Sequence, residues 1–241
     1  IVSFIIKFII YYFNLNISNE KFIWWKNAGR QKQTGNRSLK KIMISSILLA
    51  AGESKRMESE NKLVKEVNGI PILKYAVKNI LGSSIDELII VLGHEKEIIE
   101  SIIEKNRKIK FVYNKNYKNG VTSSIRTGLE FISEKTEAFF ISLGDMPNIN
   151  QNIYNKLIKA RYSYNKKLKT NLKKEIIIPT YNSQEGNPLL FSKFMKKKFM
   201  NIKEDFESEK IIKLNREKVL NVPFKNDGVV LDFNIQEDFN F

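Results

Sequence analysis

From Met43 onward the chain alternates between short, almost wholly apolar runs and longer segments whose apolar residues recur every three or four positions. Ile44–Ala50, Leu88–Leu92, Lys110–Tyr113 and Ala138–Leu143 read as strands. Between them, Pro71–Leu81 carries Ile72, Leu73, Ala76, Val77 and Ile80 on one helical face, opened by proline at its start. Glu95–Glu104 repeats the spacing through Ile98, Ile99, Ile102 and Ile103, and Val121, Ile125, Leu129 and Ile132 line a third helix. A strand that is apolar on both faces must be covered on both, and parallel strands need a crossover helix between them. The pattern therefore predicts an α/β fold with a mostly parallel sheet between two helical layers. Further strands are expected at Glu175–Pro179, Pro188–Phe191, Val219–Val222 and Val229–Leu231, and a solvated loop over the basic stretch Lys166–Lys174.

The absence of cysteine excludes disulfides, a thiolate zinc site and a cysteine nucleophile, and it fits a reducing, cytoplasmic setting. His94 is the only histidine, so any metal is expected to be a hard cation on oxygen ligands, magnesium or manganese. The net charge of +15 suits an anionic partner, but lysines on a solvated surface account for it equally, and no aromatic-interleaved RNA-binding signature accompanies it. Nucleic acid and membrane are not expected as partners.

Residues 1–42 differ in character from the rest. Ile1–Phe13 is apolar but broken by Lys7, and it is shorter than the roughly 20 residues that cross a bilayer. The expectation is that this extension, which precedes Met43, is not part of the fold and comes from an over-extended reading frame. A membrane-surface anchor is the functional alternative. Residues 43–241 then form the folded domain.

Five segments are candidates for the chemistry, the last two being Gly186–Phe191 and Leu231–Asp238. The first strand runs into Leu48-Leu49-Ala50-Ala51-Gly52-Glu53-Ser54-Lys55-Arg56-Met57, followed by Lys62. Small residues at Ala50, Ala51 and Gly52 let a phosphate chain approach the backbone N–H groups, and Arg56 and Lys62 add positive charge where a triphosphate reacts. The spacing matches neither a Walker A loop nor a dinucleotide fingerprint, and a purely structural turn is the alternative, one that the two basic residues weaken. Gly144-Asp145-Met146-Pro147 follows the fourth strand, at the end where open α/β sheets bind ligands. Asp145 there either holds a magnesium ion or caps the next turn. Gly120 precedes a helix start bearing Thr122, Ser123 and Ser124, which either binds an anion or a base carbonyl or is simply capped by Thr122 or Ser123. Arg126, one turn in, either anchors the loop or meets a phosphate. Near the chain's end, Asp232 is a candidate second metal ligand beside Asp145, with Asn234 as a helix cap.

Taken together, these segments resemble the molybdopterin nucleotidyltransferase family over essentially all of 43–241. Leu49–Met57 and Lys62 match its L-A-A-G-x-S-x-R-M pattern and following lysine. Gly120, Ser124, Ile125, Arg126 and Gly128 match its helix motif, Gly144–Pro147 its G-D-M-P, and Asp232–Asp238 its C-terminal motif. Ala51, where guanylyltransferase relatives usually carry glycine, and the Ser124-Ile125-Arg126 motif lean toward the molybdenum cofactor cytidylyltransferase branch.

The resemblance implies a three-layer, Rossmann-like fold of nucleotide-diphospho-sugar-transferase type. It implies transfer of CMP from CTP to the phosphate of the molybdenum-pterin cofactor, with magnesium as cofactor and a molybdoenzyme as recipient of the product. By the same resemblance Lys62, Arg56 and Asp145 are catalytic. Leu49, Ala50, Ala51, Gly52, Asn114, Gly120 and Ser124 bind nucleotide with Arg56 and Lys62. Asp145 and Asp232 hold metal, and Arg126 and Asn187 meet the acceptor. The chain departs from the pattern at Glu58, at Asn187 in Gly186-Asn187-Pro188, and over Glu204–Glu209, where two glycines and an arginine of the acceptor side are replaced. Those departures motivate a different acceptor, by guanylyl transfer or with a sugar or polyol phosphate. A non-catalytic nucleotide- or cofactor-binding protein is the reading from another class.

Overall fold

The computed structural model describes residues 42–54, 61–166, 168, 172–201 and 207–232. Expectations for the N-terminal extension, Arg56, Glu58, Glu204–Phe206 and Asn234 therefore fall on residues outside the described ones.

The strands predicted from the apolar runs form. They are β1 (Met43–Ala50), β4 (Glu87–Leu92), β5 (Ile109–Tyr113) and β6 (Thr136–Leu143). A two-residue hairpin pair, β2 (Glu66–Val67) and β3 (Ile70–Pro71), leads into α1 (Ile72–Leu81). The other crossovers are α2 (Lys96–Ser101), shorter than its sequence pattern, and α3 (Val121–Phe131). The second half adds α4 (Gln151–Asn165), β7 (Ile176–Tyr181), β8 (Gln184–Glu185), β9 (Leu189–Ser192), α5 (Lys196–Met200), α6 (Glu207–Lys213) and β10 (Val219–Pro223).

The main sheet runs β5-β4-β1-β6-β9-β7-β10, with β8 paired to β7. Its strands are parallel except β9, which is antiparallel to both β6 and β7, and β8. Strand alternation divides the core cleanly. Leu48, Leu88, Ile90 and Phe140 face one layer with Leu73, Val77 and Ile80 of α1 and Tyr154 and Leu157 of α4. Ile47, Ile89, Val91 and Phe139 face the other, with Ile125 and Leu129 of α3 and Phe199 of α5. Ile47 and Leu48 are fully buried on opposite faces, each a burial that favours folding by about 1.5–3 kcal/mol. The result is a three-layer α/β fold with a mostly parallel mixed sheet.

One expected strand does not form, and one helix was not expected. Val229–Leu231 is not a strand: Asp227–Val229 is a 3-10 turn, because the N–H groups of Val230 and Leu231 both bond locally to the Asp227 carbonyl. Helix α4 went unread because Lys, Arg, Asn and Tyr blur its apolar spacing. Its start is fixed by Asn150, whose side chain accepts the Asn152 N–H at 3.0 Å. Among the described residues no helix is long and apolar enough to cross a membrane.

At the amino ends of the strands, buried Glu87 accepts hydrogen bonds from Ser45 at 2.6 Å, the Ser133 N–H at 2.7 Å and Lys110 at 3.1 Å. Burial alone would raise its pKa, but the bonds from Ser45, the Ser133 N–H and Lys110 together outweigh it. The carboxyl therefore sits below its ordinary value.

Candidate functional site

Register brings four loops to one edge. Leu49 is level with Val91 on one side and Leu143 on the other, and Leu92 is level with Tyr113. The chain therefore leaves β1, β4, β5 and β6 side by side at their carboxyl ends, around a cleft of about 510 Å³.

The first wall is the segment after β1. Leu49, Ala51 and Gly52 line the cleft, followed by Glu53 and Ser54. Ala50 points into the core and is 1% exposed, so it supports the loop without lining the cleft. The neighbouring loops bracket this segment: the Gly144 N–H donates to the Leu49 carbonyl at 3.2 Å, and the His94 N–H to the Ala51 carbonyl at 3.2 Å. Gly93 permits the second approach, since a Cβ there would stand 2.6 Å from the Ala51 carbonyl oxygen and 2.7 Å from the Tyr117 Cβ.

Lys62 forms the floor together with Asp145. Its backbone N–H donates to the Ser54 hydroxyl at 3.1 Å, and the next residue, Leu63, donates its N–H to Asn61 Oδ1 at 3.1 Å. Held this way, the Lys62 ammonium donates to the Asp145 carboxylate, which follows β6 by one residue beyond Gly144. The two side chains are 19% and 15% exposed. Asp145 is thus engaged across the cleft and not as the cap of its own turn.

The opposite wall is the start of α3. Gly120, at φ 93°, turns the chain in the left-handed region so that Val121 begins the helix, and Gly120, Val121 and Ser124 line the cleft with Tyr117 and Lys118. No side chain caps this helix. Ser123 instead donates within the preceding turn, to the Gly120 carbonyl at 2.8 Å and the Asn116 carbonyl at 2.9 Å. Asn114 lies behind the wall, 3% exposed. Its amide donates to Ser123 at 2.8 Å and Ser124 at 3.0 Å, and its Oδ1 accepts the Asn116 N–H at 3.0 Å.

Of the residues expected from sequence, Leu49, Ala51, Gly52, Lys62, Gly120, Ser124 and Asp145 share this cleft. Arg126 and Asn187 are half-buried and are not among its lining residues. Asp232 is exposed at the end of the described chain and does not line it either. Sequence reading missed Tyr117 and Lys118. The available signal was their place directly after β5, at the same carboxyl edge as the other loops.

Chemically, backbone N–H groups of a small-residue loop, an uncapped helix start and two lysines favour a polyanion. Asp145 favours a cation. Among the described residues no three acidic or histidine side chains converge, so there is no all-protein metal cage. One carboxylate beside a phosphate site is nevertheless the donor set that magnesium or manganese uses when phosphate oxygens and water complete its shell. The site fits such an ion.

The MobA-like NTP transferase domain model matches residues 46–219. A bifunctional protein GlmU from Caldicellulosiruptor saccharolyticus is 32% identical over 117 residues, 48% of this chain and 25% of that protein. The chain thus spans about a quarter of the length of the first such relatives. A probable molybdenum cofactor guanylyltransferase from Methanosarcina mazei is 27% identical over 183 residues, covering 74% of this chain and 75% of that protein. Among solved structures, Rv0371c from Mycobacterium tuberculosis superposes with a TM-score of 0.70 at 20% identity, covering 82% and 96% of the two chains. A manganese complex of the same protein gives 0.65 at 19%, with the same coverage. At these identities the structures show a shared fold.

Proposed function

This chain belongs to the MobA-like NTP transferase family of nucleotidyltransferases, and from that premise we propose that it moves CMP from CTP to the phosphate of a molybdenum-pterin cofactor, releasing pyrophosphate. The observation that carries the reading is the cleft itself, where the Ala51–Gly52 loop, Lys62 and Asp145 meet.

In this reaction an acceptor phosphate oxygen attacks the α-phosphorus in line. A new P–O bond forms, and the bond to the bridging oxygen of pyrophosphate breaks. The nucleophile is already anionic, so no strong base is required, and catalysis rests on positioning and charge neutralisation. The loop N–H groups and the α3 start hold the phosphates and nucleoside, with Ser124 oriented by Asn114. Lys62 supplies positive charge at the α-phosphate, and Arg56 is assigned to the same triphosphate. Asp145 would hold a divalent cation, which when bound neutralises phosphate charge; the manganese complex of Rv0371c supports a divalent ion here. Arg126 and Asn187 are assigned to the acceptor, and Asp232 lies too exposed to carry the metal role on its own.

A second reading is guanylyl transfer, favoured by the likeness to the M. mazei protein. The replaced Glu204–Glu209 stretch motivates a third, a sugar or polyol phosphate as acceptor. Competition separates them. With equal CTP and GTP over molybdenum-loaded pterin, the cytidylyl reading expects pyrophosphate and the cytidylylated product. A guanylylated product, or turnover with a sugar phosphate alone, moves the assignment.

A further inference from the structure

We propose that in the nucleotide-free protein Lys62 shields Asp145 from divalent cations, so that the carboxylate accepts a metal only as the nucleotide draws the lysine away. The inference rests on the nucleotidyltransferase reading and concerns the loading of the same site.

The Lys62 ammonium donates directly to Asp145 Oδ2, and the pair is mostly withdrawn from water. A contact of this kind satisfies the carboxylate's demand for positive charge. A second cation would have to repel the ammonium or displace it, taking its carboxylate partner from a lysine mostly withdrawn from water. No other acidic or histidine pair among the described residues clusters with Asp145 to offset that cost.

A polyphosphate changes the balance. Its oxygens give Lys62 a new anionic partner in the same cleft, which Gly52 and the α3 start already favour for phosphate. The exchange conserves charge: lysine passes from carboxylate to phosphate, and the carboxylate becomes open to a cation. The backbone bond from Lys62 to Ser54 keeps the residue anchored while its side chain moves. Because linkage is reciprocal, whatever Lys62 costs the metal in the empty protein is returned when both ligands bind.

The test is manganese binding by the full chain without nucleotide, read from the electron paramagnetic resonance signal of free Mn(II). Lys62→Met should tighten binding about tenfold, within the usual range of coupling between sites. Lys62→Gln should act in the same direction, and circular dichroism confirms that either variant is folded. Lys118→Met removes the same charge from the same cleft and should change binding by less than about threefold, the part due to general electrostatics. Adding Asp145→Asn to Lys62→Met should erase the gain. A Lys62 variant that binds manganese no more tightly than Lys118→Met, or a gain that survives Asp145→Asn, overturns the proposal. Titration of the wild-type protein with CTP and GTP is a separate arm. Absence of nucleotide binding there would sink the functional reading and with it the release of Lys62 by nucleotide, while the manganese comparison decides separately whether Lys62 shields Asp145.

Discussion

Asn114 Nδ2 stands 3.0 Å from the Ser124 hydroxyl, tying the end of β5 to the first turn of α3. The bond is buried, and the same amide reaches Ser123. The wall of the cleft at α3 is therefore set by a residue that does not line it. Asn114→Ala would take the amide donor from Ser123 and Ser124 and the acceptor from the Asn116 N–H, at a cost of about 1–3 kcal/mol in stability. As a positioning change it should raise the KM for nucleotide more than it lowers kcat, and denaturant melts with steady-state kinetics measure both.

How far the sequence told this in advance depends on the kind of signal. The strands β1, β4, β5 and β6 were legible because burial on two faces forces unbroken apolar runs, and α1 and α3 because one buried face forces a period. Lys62 and Asp145 were legible singly, as a phosphate-binding cation in the segment after β1 and a carboxylate just after β6, but their direct contact was not. Helix α4 was not legible, because it buries only part of a polar helix; β9 was legible as a strand at Pro188–Phe191 but not in its antiparallel direction, which leaves no mark in so short a run. Tyr117 and Lys118 were hidden for another reason. They sit in a polar loop whose importance comes from β5 ending level with β4, and that is a fact of register.

Gly93 is a packing requirement of the first loop. A methyl group at this position would meet the Ala51 carbonyl oxygen at 2.6 Å and the Tyr117 Cβ at 2.7 Å. Gly93→Ala should cost about 1–3 kcal/mol through overpacking and weaken nucleotide binding by moving Ala51. Thermal melts and nucleotide titration on one sample would reveal whether the two effects travel together.

Tyr117 offers an aromatic ring at the cleft, close to His94 with ring centroids 6.3 Å apart. If a nucleobase rests against it, Tyr117→Ala loses about 1–3 kcal/mol of binding. The expected result is a nucleotide KM raised about 5- to 150-fold with kcat little changed, the split that marks uniform binding. An unchanged KM would remove Tyr117 from the nucleoside side of the site.

Glu87 makes stability pH-dependent far from the cleft. Its folded pKa lies below the ordinary value of 4.5, so ionised Glu87 stabilises the fold above that value. The contribution fades as pH falls below 4.5 and is lost once pH passes the depressed folded value. The stability gap between wild type and Glu87→Gln, from urea melts, should be constant near neutrality and narrow on acidification. A gap that stays level down to the acid limit of folding would mean Glu87 does not carry this dependence.

The decisive measurement is pyrophosphate release by the full chain with magnesium, CTP and molybdenum-loaded pterin, set against Asp145→Asn. Removing the carboxylate should cut the rate about 10²–10³-fold, the scale of losing one electrostatic element of a transition state. Release in the wild type that collapses in the variant supports nucleotidyl transfer through the Lys62–Asp145 cleft. Undiminished release by Asp145→Asn, or none by the wild type with CTP or GTP and any of the proposed acceptors, refutes it.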